Sequence, residues 1–336
     1  MNHRVYDDKR IQELLSNGDI AEASKYLFEF QCSDWEICRD NYEQLKSVKV
    51  KKFQFEGYSI KAQFNPGRII STSAKVDPKS IQERKCFLCE ANLPPEQKGI
   101  LYKDEYIILI NPFPIFPIHF TLTNIHHQPQ RIEDTFPYLI SFSKDLSKYF
   151  TVIYNGPRCG ASAPDHLHFQ AGNKYFMPID DEADLITNEY GSVVVDRENL
   201  IIQTVDDGLR KFVLFECNDE QLLIDSFRKF YKTYSRLMNE EQEPLMNLIS
   251  LYDDEFGWRV IVFLRAKHRS HHYFEDDEKK ILVSPAAIDL GGVCIFPREE
   301  DFNRINKELI QEIFREVFID KVKLEELNNN LKKIYE

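Results

Sequence analysis

Two histidines and a glutamine alternate with apolar residues near the middle of the chain. His166, His168 and Gln170 are separated by Leu167 and Phe169, so we expect them to share one face of a β-strand, in which every second side chain points the same way. Imidazole is both a nucleophile and a metal ligand, and a carboxamide can hydrogen-bond phosphoryl oxygens. An ordinary histidine pair on a half-buried strand is the alternative, since short motifs often occur by chance. The third polar group in register favours a chemical site.

A loop of small residues precedes this segment. Asn155 is followed by Gly160, Ala161, Ser162 and Ala163, whose side chains let backbone N–H groups approach an anionic ligand and donate hydrogen bonds to it. We expect Asn155, Gly160, Ala161 and Ser162 to contact substrate in this way, because such donors stabilise charge on phosphate oxygens. The loop and the histidines together predict a site for phosphate chemistry.

The sequence His166-x-His168-x-Gln170 resembles the His-x-His-x-Gln signature of the nucleotidyltransferase branch of the histidine-triad superfamily. That branch includes the galactose-1-phosphate uridylyltransferases and the diadenosine tetraphosphate phosphorylases. The residues around the motif are most similar to those of the GDP-L-galactose and GDP-D-glucose phosphorylases.

The resemblance implies an enzyme, a nucleotidyltransferase or phosphorylase that acts on a nucleoside diphosphate sugar. His168 would attack the α-phosphorus and form a nucleotidyl-histidine intermediate, which phosphate or a sugar 1-phosphate would then accept. Hydrolase relatives carry a titratable histidine in place of Gln170, whereas an amide offers no proton near neutral pH, so we expect transfer to outrun hydrolysis. The alternatives are a dinucleoside polyphosphate phosphorylase, a hydrolase, and a nucleotide-binding protein without catalytic activity.

Cys86 and Cys89 form a Cys-x-x-Cys pair. Two thiolates at this spacing can hold one metal ion, although a redox pair or two buried thiols are common alternatives. The segment from Cys86 to residue 92 resembles the Cys-Phe-Leu-Cys-Ala-Gly-Asn of bacterial galactose-1-phosphate uridylyltransferases, in which the pair binds zinc. That resemblance implies a structural zinc site completed by His166 and by His127, with His126 as the alternative to His127.

Two further segments predict substrate contacts. A turn at 65–67 precedes a stretch predicted as a strand, and Arg68 and Lys75 at its ends are either solvated charges or phosphate ligands. The stretch resembles the start of the substrate pocket in the uridylyltransferases, which implies the second role. His119 lies in an Asn-Pro … Pro-x-His-Phe segment like the one that lines the nucleotide site of histidine-triad proteins. It either contacts the ligand or caps a strand.

Hydrophobic periodicity predicts the elements that carry these residues. Residues from about 7 to 46 are predicted to form two or three helices broken at 17–18, and a hairpin follows from Val48. Two strands flank a proline-rich crossing at 112–117, and a helix from about 134 to 150 leads into the strand that precedes the histidines. The same order recurs at 211–215, 223–237 and 248–263, without the histidines.

A duplicated unit with one degenerate half is the architecture of the uridylyltransferases. We therefore predict an α+β fold, a histidine-triad-like antiparallel sheet with flanking helices, in two related halves of which the second is degenerate. The chain divides into an N-terminal helical extension at 1–47, a catalytic half at 48–195, and a degenerate second half with C-terminal helices at 196–336.

The composition excludes several classes of function. A net charge of −12 and a pI near 5.4 argue against general affinity for nucleic acid or an anionic membrane, since both need clustered basic surface. The N-terminal residues lack the apolar core of a secretory signal, no apolar stretch is long enough to span a bilayer, and seven cysteines fit reduced thiols or a metal site better than disulfides. We therefore predict a cytoplasmic protein. A homodimer is one option for its assembly.

One basic cluster extends from Arg265 to His272. Runs of charge are usually solvated loops. In an acidic protein that must bind phosphates, the cluster is equally a source of positive charge from the second half.

Overall fold

Three helices and a hairpin open the chain in the computed structural model, which describes residues 4–73, 77–276 and 278–336. Helix α1 begins after Asp8, whose carboxylate accepts hydrogen bonds from the N–H groups of Arg10 and Ile11, and Gly18, with φ of 75°, separates α1 from α2. The elements are α1 Lys9–Ser16, α2 Ile20–Asp34, α3 Glu36–Leu45, β1 Lys49–Gln54 and β2 Ser59–Phe64. They agree with the predicted helices and hairpin.

The segment after β2 is helical, which corrects the predicted strand. Residues Pro66–Arg68 form a 3₁₀ turn that continues into α4, Ile69–Thr72, and α5 follows at Pro78–Glu83. The Asn65 amide donates to Pro114 O at 3.1 Å and Arg68 Nη1 donates to Phe113 O at 2.6 Å. These bonds turn the chain away from a sheet edge, so tertiary contacts override the local pattern.

Ten strands then form one antiparallel sheet in the described part of the chain. Their order across the sheet is β3-β4-β5-β7-β6-β11-β12-β10-β9-β8. The strands are β3 Gly99–Tyr102, β4 Tyr106–Ile110, β5 His119–Asn124, β6 Phe150–Asn155, β7 His168–Asn173, β8 Gly191–Arg197, β9 Leu200–Asp206, β10 Lys211–Cys217, β11 Met246–Asp253 and β12 Gly257–Leu264.

The strand order is the same in both halves, read from opposite edges. β3-β4-β5-β7-β6 on one side corresponds to β8-β9-β10-β12-β11 on the other. Helix α6, Phe136–Asp145, follows β5, and α8, Glu220–Met238, follows β10. The halves meet at β6 and β11, where Asn155 pairs with Asn247. The second half therefore repeats the topology of the first, and β12 carries no histidine.

Each face of the large sheet packs against its own hydrophobic core. One core contains apolar residues of α1–α3, α6 and α8 together with Phe169 and Ala171 of β7. His168 and Gln170, which alternate with them along β7, point to the opposite face of the sheet. The second core is covered by β1, β2 and the remaining elements. These are α7 Pro178–Tyr190, α9 Ala287–Leu290, β13 Val293–Phe296, α10 Glu299–Arg304, α11 Lys307–Val317 and α12 Lys321–Tyr335, of which α12 packs on α8 instead.

A second, three-stranded sheet joins the two ends of the chain. Strand β13 pairs in parallel with β2, from Val293 opposite Lys61 to Phe296 opposite Phe64. Strand β8 extends across the predicted boundary at 195–196, and the division of the chain into domains stays a prediction. Among the described residues, no helix is both long and apolar enough to cross a membrane.

Candidate active site

His168 is the first residue of β7 and is held as a neutral imidazole. Its Nδ1 lies 2.8 Å from His166 O, and because a carbonyl only accepts, Nδ1 must carry the proton and donate. The lone pair is then on Nε2. Burial lowers the pKa of His168 to about 4, since charge is costly in an apolar surrounding. The side chain lines a cavity, so the arrangement presents a neutral nitrogen nucleophile.

Gln130 fixes the backbone around this histidine. Its Oε1 accepts from the His168 N–H at 2.8 Å, and its Nε2 donates to His168 O at 2.9 Å and to Asn155 O at 3.0 Å. All of these groups are buried. One side chain thus ties the histidine strand to the end of β6, from which the loop of small residues starts.

His119 orients the amide of Gln170. The Ile115 N–H donates to His119 Nδ1 at 3.3 Å, so Nε2 carries the proton and donates to Gln170 Oε1 at 2.8 Å. With its oxygen engaged, Gln170 turns its NH₂ group to the cavity that it lines. Burial lowers the pKa of His119 to about 3, and the ring stays neutral. The sequence left His119 open between a ligand contact and a strand cap. It is the first residue of β5 and lies behind Gln170, with both nitrogens hydrogen-bonded to protein, and a contact with substrate stays a prediction.

The loop after β6 is held open by buried amides. The Asn247 amide donates to Asn155 Oδ1 at 2.8 Å and to Cys159 O at 2.6 Å, and the Ala287 N–H also donates to Asn155 Oδ1 at 2.8 Å. The NH₂ of Asn155 is therefore the end of that side chain left for a ligand. Gly160 has φ of 109°, and a Cβ there would lie 2.6 Å from Ala286 Cβ, so the tight approach requires glycine.

Two cavities meet at the histidine strand. The larger, of about 650 Å³, is bounded by apolar side chains and by His168, and the smaller, of about 70 Å³, is polar and is lined by Asn155, Gly160 and Ala161. Both are lined by the three residues Arg68, Ser162 and Gln170. The larger volume suits a nucleoside, whereas the smaller has room for a phosphate-sized group. Among the predicted substrate contacts, Lys75 lies outside the described residues.

Four predicted metal ligands come together beside the site. Cys86 Sγ lies 3.2 Å from His166 Nδ1 and Cys89 Sγ lies 3.2 Å from His127 Nδ1, and the four ligand atoms are within 4.8 Å of one another. A tetrahedral ion with ligands at about 2.0–2.3 Å separates them by about 3.3–3.8 Å, so the spacing fits a Cys₂His₂ metal site. Of the two histidines left open by the sequence, the structure brings in His127.

The four candidate metal ligands are linked to His168 by a hydrogen bond through His166. His166 Nε2 donates to Asn124 O at 2.8 Å, which leaves Nδ1 unprotonated and turned toward the thiols. The carbonyl of the same residue accepts from His168 Nδ1. An ion held by His166 would therefore fix the backbone that orients the nucleophile.

Sequence reasoning did not assign several residues that the structure places at the site. Arg84 pairs with Asp165 and lines the larger cavity, and its Nη1 has no hydrogen-bond partner among the described residues. Gln130 was given no role at the site. Asn247 comes from the second half, where no local motif marks it, and Arg269 belongs to the basic cluster at 265–272, in which no individual residue was singled out.

The basic cluster divides between structural and cavity positions. Arg265 is fully buried and donates to Asn247 Oδ1 at 2.6 Å and to four backbone carbonyls. Lys267 pairs with Glu316 at the surface. Of the charged residues at 265–272, Arg269 lines the polar cavity, beside His268. The cluster therefore contains both a surface lysine and an arginine that lines the polar cavity, and a contact of this arginine with phosphate stays a prediction.

Comparison with known proteins agrees with this architecture. Residues 27–173 match a domain of unknown function (DUF4922), and residues 193–336 match the family described as GDPGP1-like, C-terminal domain. No curated protein sequence matches the chain.

Solved structures are similar over most of the chain. Yeast Ap4A phosphorylase Apa2 in complex with Ap4A has a TM-score of 0.56 at 15% identity, covering 84% of this chain and 96% of that one. The same enzyme with AMP has a TM-score of 0.55 at 15% identity, with coverage of 84% and 95%. The similarity shows a shared histidine-triad-like fold, and the predicted α+β fold is confirmed.

Proposed function

We propose that this chain is a nucleotidyltransferase that uses His168 to move a nucleotidyl group from a nucleoside diphosphate sugar to phosphate or a sugar 1-phosphate. The observation that carries the proposal is the placement of His168. Its ring is neutral, its Nδ1 is anchored, and it lines the nucleoside-sized cavity two residues before Gln170, which lines both that cavity and the phosphate-sized polar cavity. A histidine nucleophile for phosphorus needs these three properties together.

The reaction balances without a general acid. His168 Nε2 attacks the α-phosphorus, an N–P bond forms, and the bond from phosphorus to the bridging oxygen breaks, so the sugar phosphate leaves with the electron pair. Phosphate is a stable anion and needs no proton to leave. In the second step an acceptor phosphate oxygen attacks the same phosphorus and neutral imidazole departs. Positive charge on the ring of the intermediate is stabilised by His166 O, 2.8 Å from Nδ1.

Gln170 supports transfer rather than hydrolysis. Its NH₂ group can donate to a phosphoryl oxygen, but it cannot take a proton from attacking water. His119, the residue behind it, stays neutral because burial lowers its pKa to about 3, so it supplies no proton to the amide. Water lacks a base in this arrangement, whereas an oxyanion acceptor needs none.

The proposed role of the ion is structural, and zinc is the ion proposed. Cys86, Cys89, His127 and His166 would hold it, and two thiolates with two imidazoles are the donor set typical of closed zinc sites. Bound zinc would fix the segment before β7. All chemical steps are carried by His168 and the groups around it.

Dinucleoside polyphosphates are the second candidate substrate. The shared fold with a phosphorylase crystallised with Ap4A favours this class. Both candidates use the same nucleophile and differ only in the group beyond the distal phosphate. A panel of nucleoside diphosphate sugars and dinucleoside polyphosphates, each with inorganic phosphate, decides between them by which one yields nucleoside diphosphate faster.

Covalent labelling tests the proposal. Protein is incubated with donor labelled at the α-phosphate and then denatured, and acid-labile label on His168 is expected. The variant His168→Asn should remain unlabelled, whereas His271→Asn, which changes an exposed histidine that lines neither cavity, should label normally. Wild-type protein that takes up no label from any donor would refute nucleotidyl transfer and would favour a binding protein, and labelled protein that releases its nucleotide equally fast without phosphate would favour a hydrolase.

A further inference from the structure

The small polar cavity is built by both halves of the chain. Arg68 reaches it from the turn after β2, and Arg269 reaches it from the loop after β12. Ser162 and Gln170 form its boundary with the larger cavity. The small polar cavity is therefore adjacent to the nucleoside-sized cavity, and Gln170 of β7 lies at the boundary between them.

Arg269 is held in a fixed orientation. Its Nε donates to Ser284 Oγ at 2.9 Å, its Nη2 donates to Thr72 O at 3.4 Å, and its guanidinium lies 4.0 Å from the centroid of the Tyr273 ring. Ser284 Oγ lies 3.1 Å from His268 Nε2. The forked donors are thus preorganised before any ligand arrives.

The cavity carries net positive charge. Among the described residues, no carboxylate is in ion-pair contact with the guanidinium of Arg68 or Arg269. Asp289 is the acidic residue of the lining, and its oxygens accept from the N–H groups of Ala286 and Ile295, both at 2.9 Å. Burial also raises the pKa of Asp289 to about 6. Two arginines against one carboxylate leave an excess of positive charge in the cavity, which in a chain of net charge −12 indicates a site for an anion.

The position of the cavity identifies the anion. In phosphoryl transfer the attacking and leaving atoms lie on opposite sides of phosphorus. With the nucleoside in the larger cavity and His168 Nε2 on one side of the α-phosphorus, the group on the other side is the distal phosphate. Gln170 and Ser162 border both cavities, so a phosphate bridging them would place its distal group between the two arginines.

We infer that this cavity holds first the distal phosphate of the donor and then the acceptor phosphate, and that Arg269 makes an oxyanion outcompete water for the nucleotidyl group. The inference rests on the proposed function. The acceptor oxygen forms a bond to phosphorus as the N–P bond to His168 breaks, and the electron pair of that bond returns to Nε2. Water entering the same space gives the monophosphate instead. Arg269 binds the phosphate oxyanion through charge-assisted hydrogen bonds, which neutral water cannot form with it to a comparable strength.

The ratio of two products tests the inference. Labelled intermediate is divided among a series of inorganic phosphate concentrations, and nucleoside diphosphate and nucleoside monophosphate are quantified. In Arg269→Gln, the phosphate concentration that gives equal amounts should rise at least about tenfold, because a charge-assisted hydrogen bond to phosphate is lost. Arg269→Lys, which keeps the charge but loses the fork, should show a smaller rise. Partial unfolding does not move this ratio, since both products come from the same intermediate.

Lys267→Gln is the matched control. It removes the same charge from the same loop, but Lys267 is exposed and pairs with Glu316 outside the cavity, so the ratio should stay at the wild-type value. An unchanged ratio in Arg269→Gln, or an equal shift in Lys267→Gln, overturns the inference and leaves nucleotidyl transfer standing. Absence of label from wild-type His168 overturns the proposed function instead, so the two failures are distinguishable.

Discussion

Gln130 is the side chain whose removal should disturb the site most without touching a reacting atom. It makes three buried hydrogen bonds, to the N–H and C=O of His168 and to Asn155 O. Leucine has nearly the same volume and none of these groups. Gln130→Leu would leave one backbone donor and two acceptors unpaired, away from water.

The expected loss of stability follows from these bonds. A buried hydrogen bond contributes about 1 kcal/mol net, and a buried polar group left unpaired costs about 1–3 kcal/mol. Three groups left unpaired therefore give a destabilisation on the order of 3–9 kcal/mol, a large part of the roughly 5–15 kcal/mol by which native domains are stable. Gln130→Glu should be worse, since a carboxylate cannot donate to the two carbonyls and repels them.

Urea unfolding and covalent labelling together measure the effect. We expect Gln130→Leu to unfold at a lower urea concentration, and His168 to be labelled more slowly in the fraction that remains folded. Gln128→Leu is the control, because Gln128 is only half-buried and contributes its backbone carbonyl, not its side chain, to Leu167 N–H at 2.7 Å. If Gln130→Leu and Gln128→Leu have the same urea midpoint of unfolding and the same rate of labelling at His168, Gln130 does not position His168.

Three further changes have defined outcomes. Removal of the proposed zinc ion by a chelator should lower the Tm, and His127→Ala should bind about one equivalent less zinc by metal analysis than His126→Ala. Because burial raises the pKa of Asp180 to about 7 from 3.8, wild-type stability should fall by up to about 1.4 kcal/mol per unit as pH rises through that range, and Asp180→Asn should remove this slope in urea titrations. Gly172→Ala would place a Cβ 2.1 Å from the Phe116 ring, and should lower stability by at least about 1–3 kcal/mol in thermal melts.

Sequence patterns predicted those parts of the molecule that depend on neighbours along the chain. Alternation at 166–170 correctly placed His168 and Gln170 on one face, whereas His166, which was expected on the same strand face, lies before β7 and turns its Nδ1 to Cys86. Helical spacing of apolar residues located α1–α3, α6 and α8. The hairpin and the strands around the proline-rich crossing follow the same logic. The repeated order of elements was visible because periodicity survives when individual residues change.

Contacts between distant segments could not be predicted in this way. The role of His119 depends on pairing between β5 and β7, which sets Thr121 opposite Gln170 and brings His119 Nε2 to its amide. Gln130 and Arg269 act across 38 and 197 residues, respectively, to His168 and Thr72. No local spacing encodes such pairs. The turn at 66–68 that leads into α4 was missed for the same reason, since the side chains of Asn65 and Arg68 donate to the distant carbonyls of Pro114 and Phe113.

The junction between β6 and β11 indicates what the second half of the chain contributes to the site. β12 is buried along its length and has no histidine, so it offers no nucleophile of its own. Yet Asn247 lies opposite Asn155 in that junction and its amide supports the loop of small residues, while Arg265 in turn holds Asn247 Oδ1 at 2.6 Å. A first half without this partner would expose the edge of β6 and leave the Asn155 side chain free to rotate. The second half is thus expected to be needed for the conformation of the loop of small residues in the first half, because Asn247 and Ala287 hold that loop through Asn155.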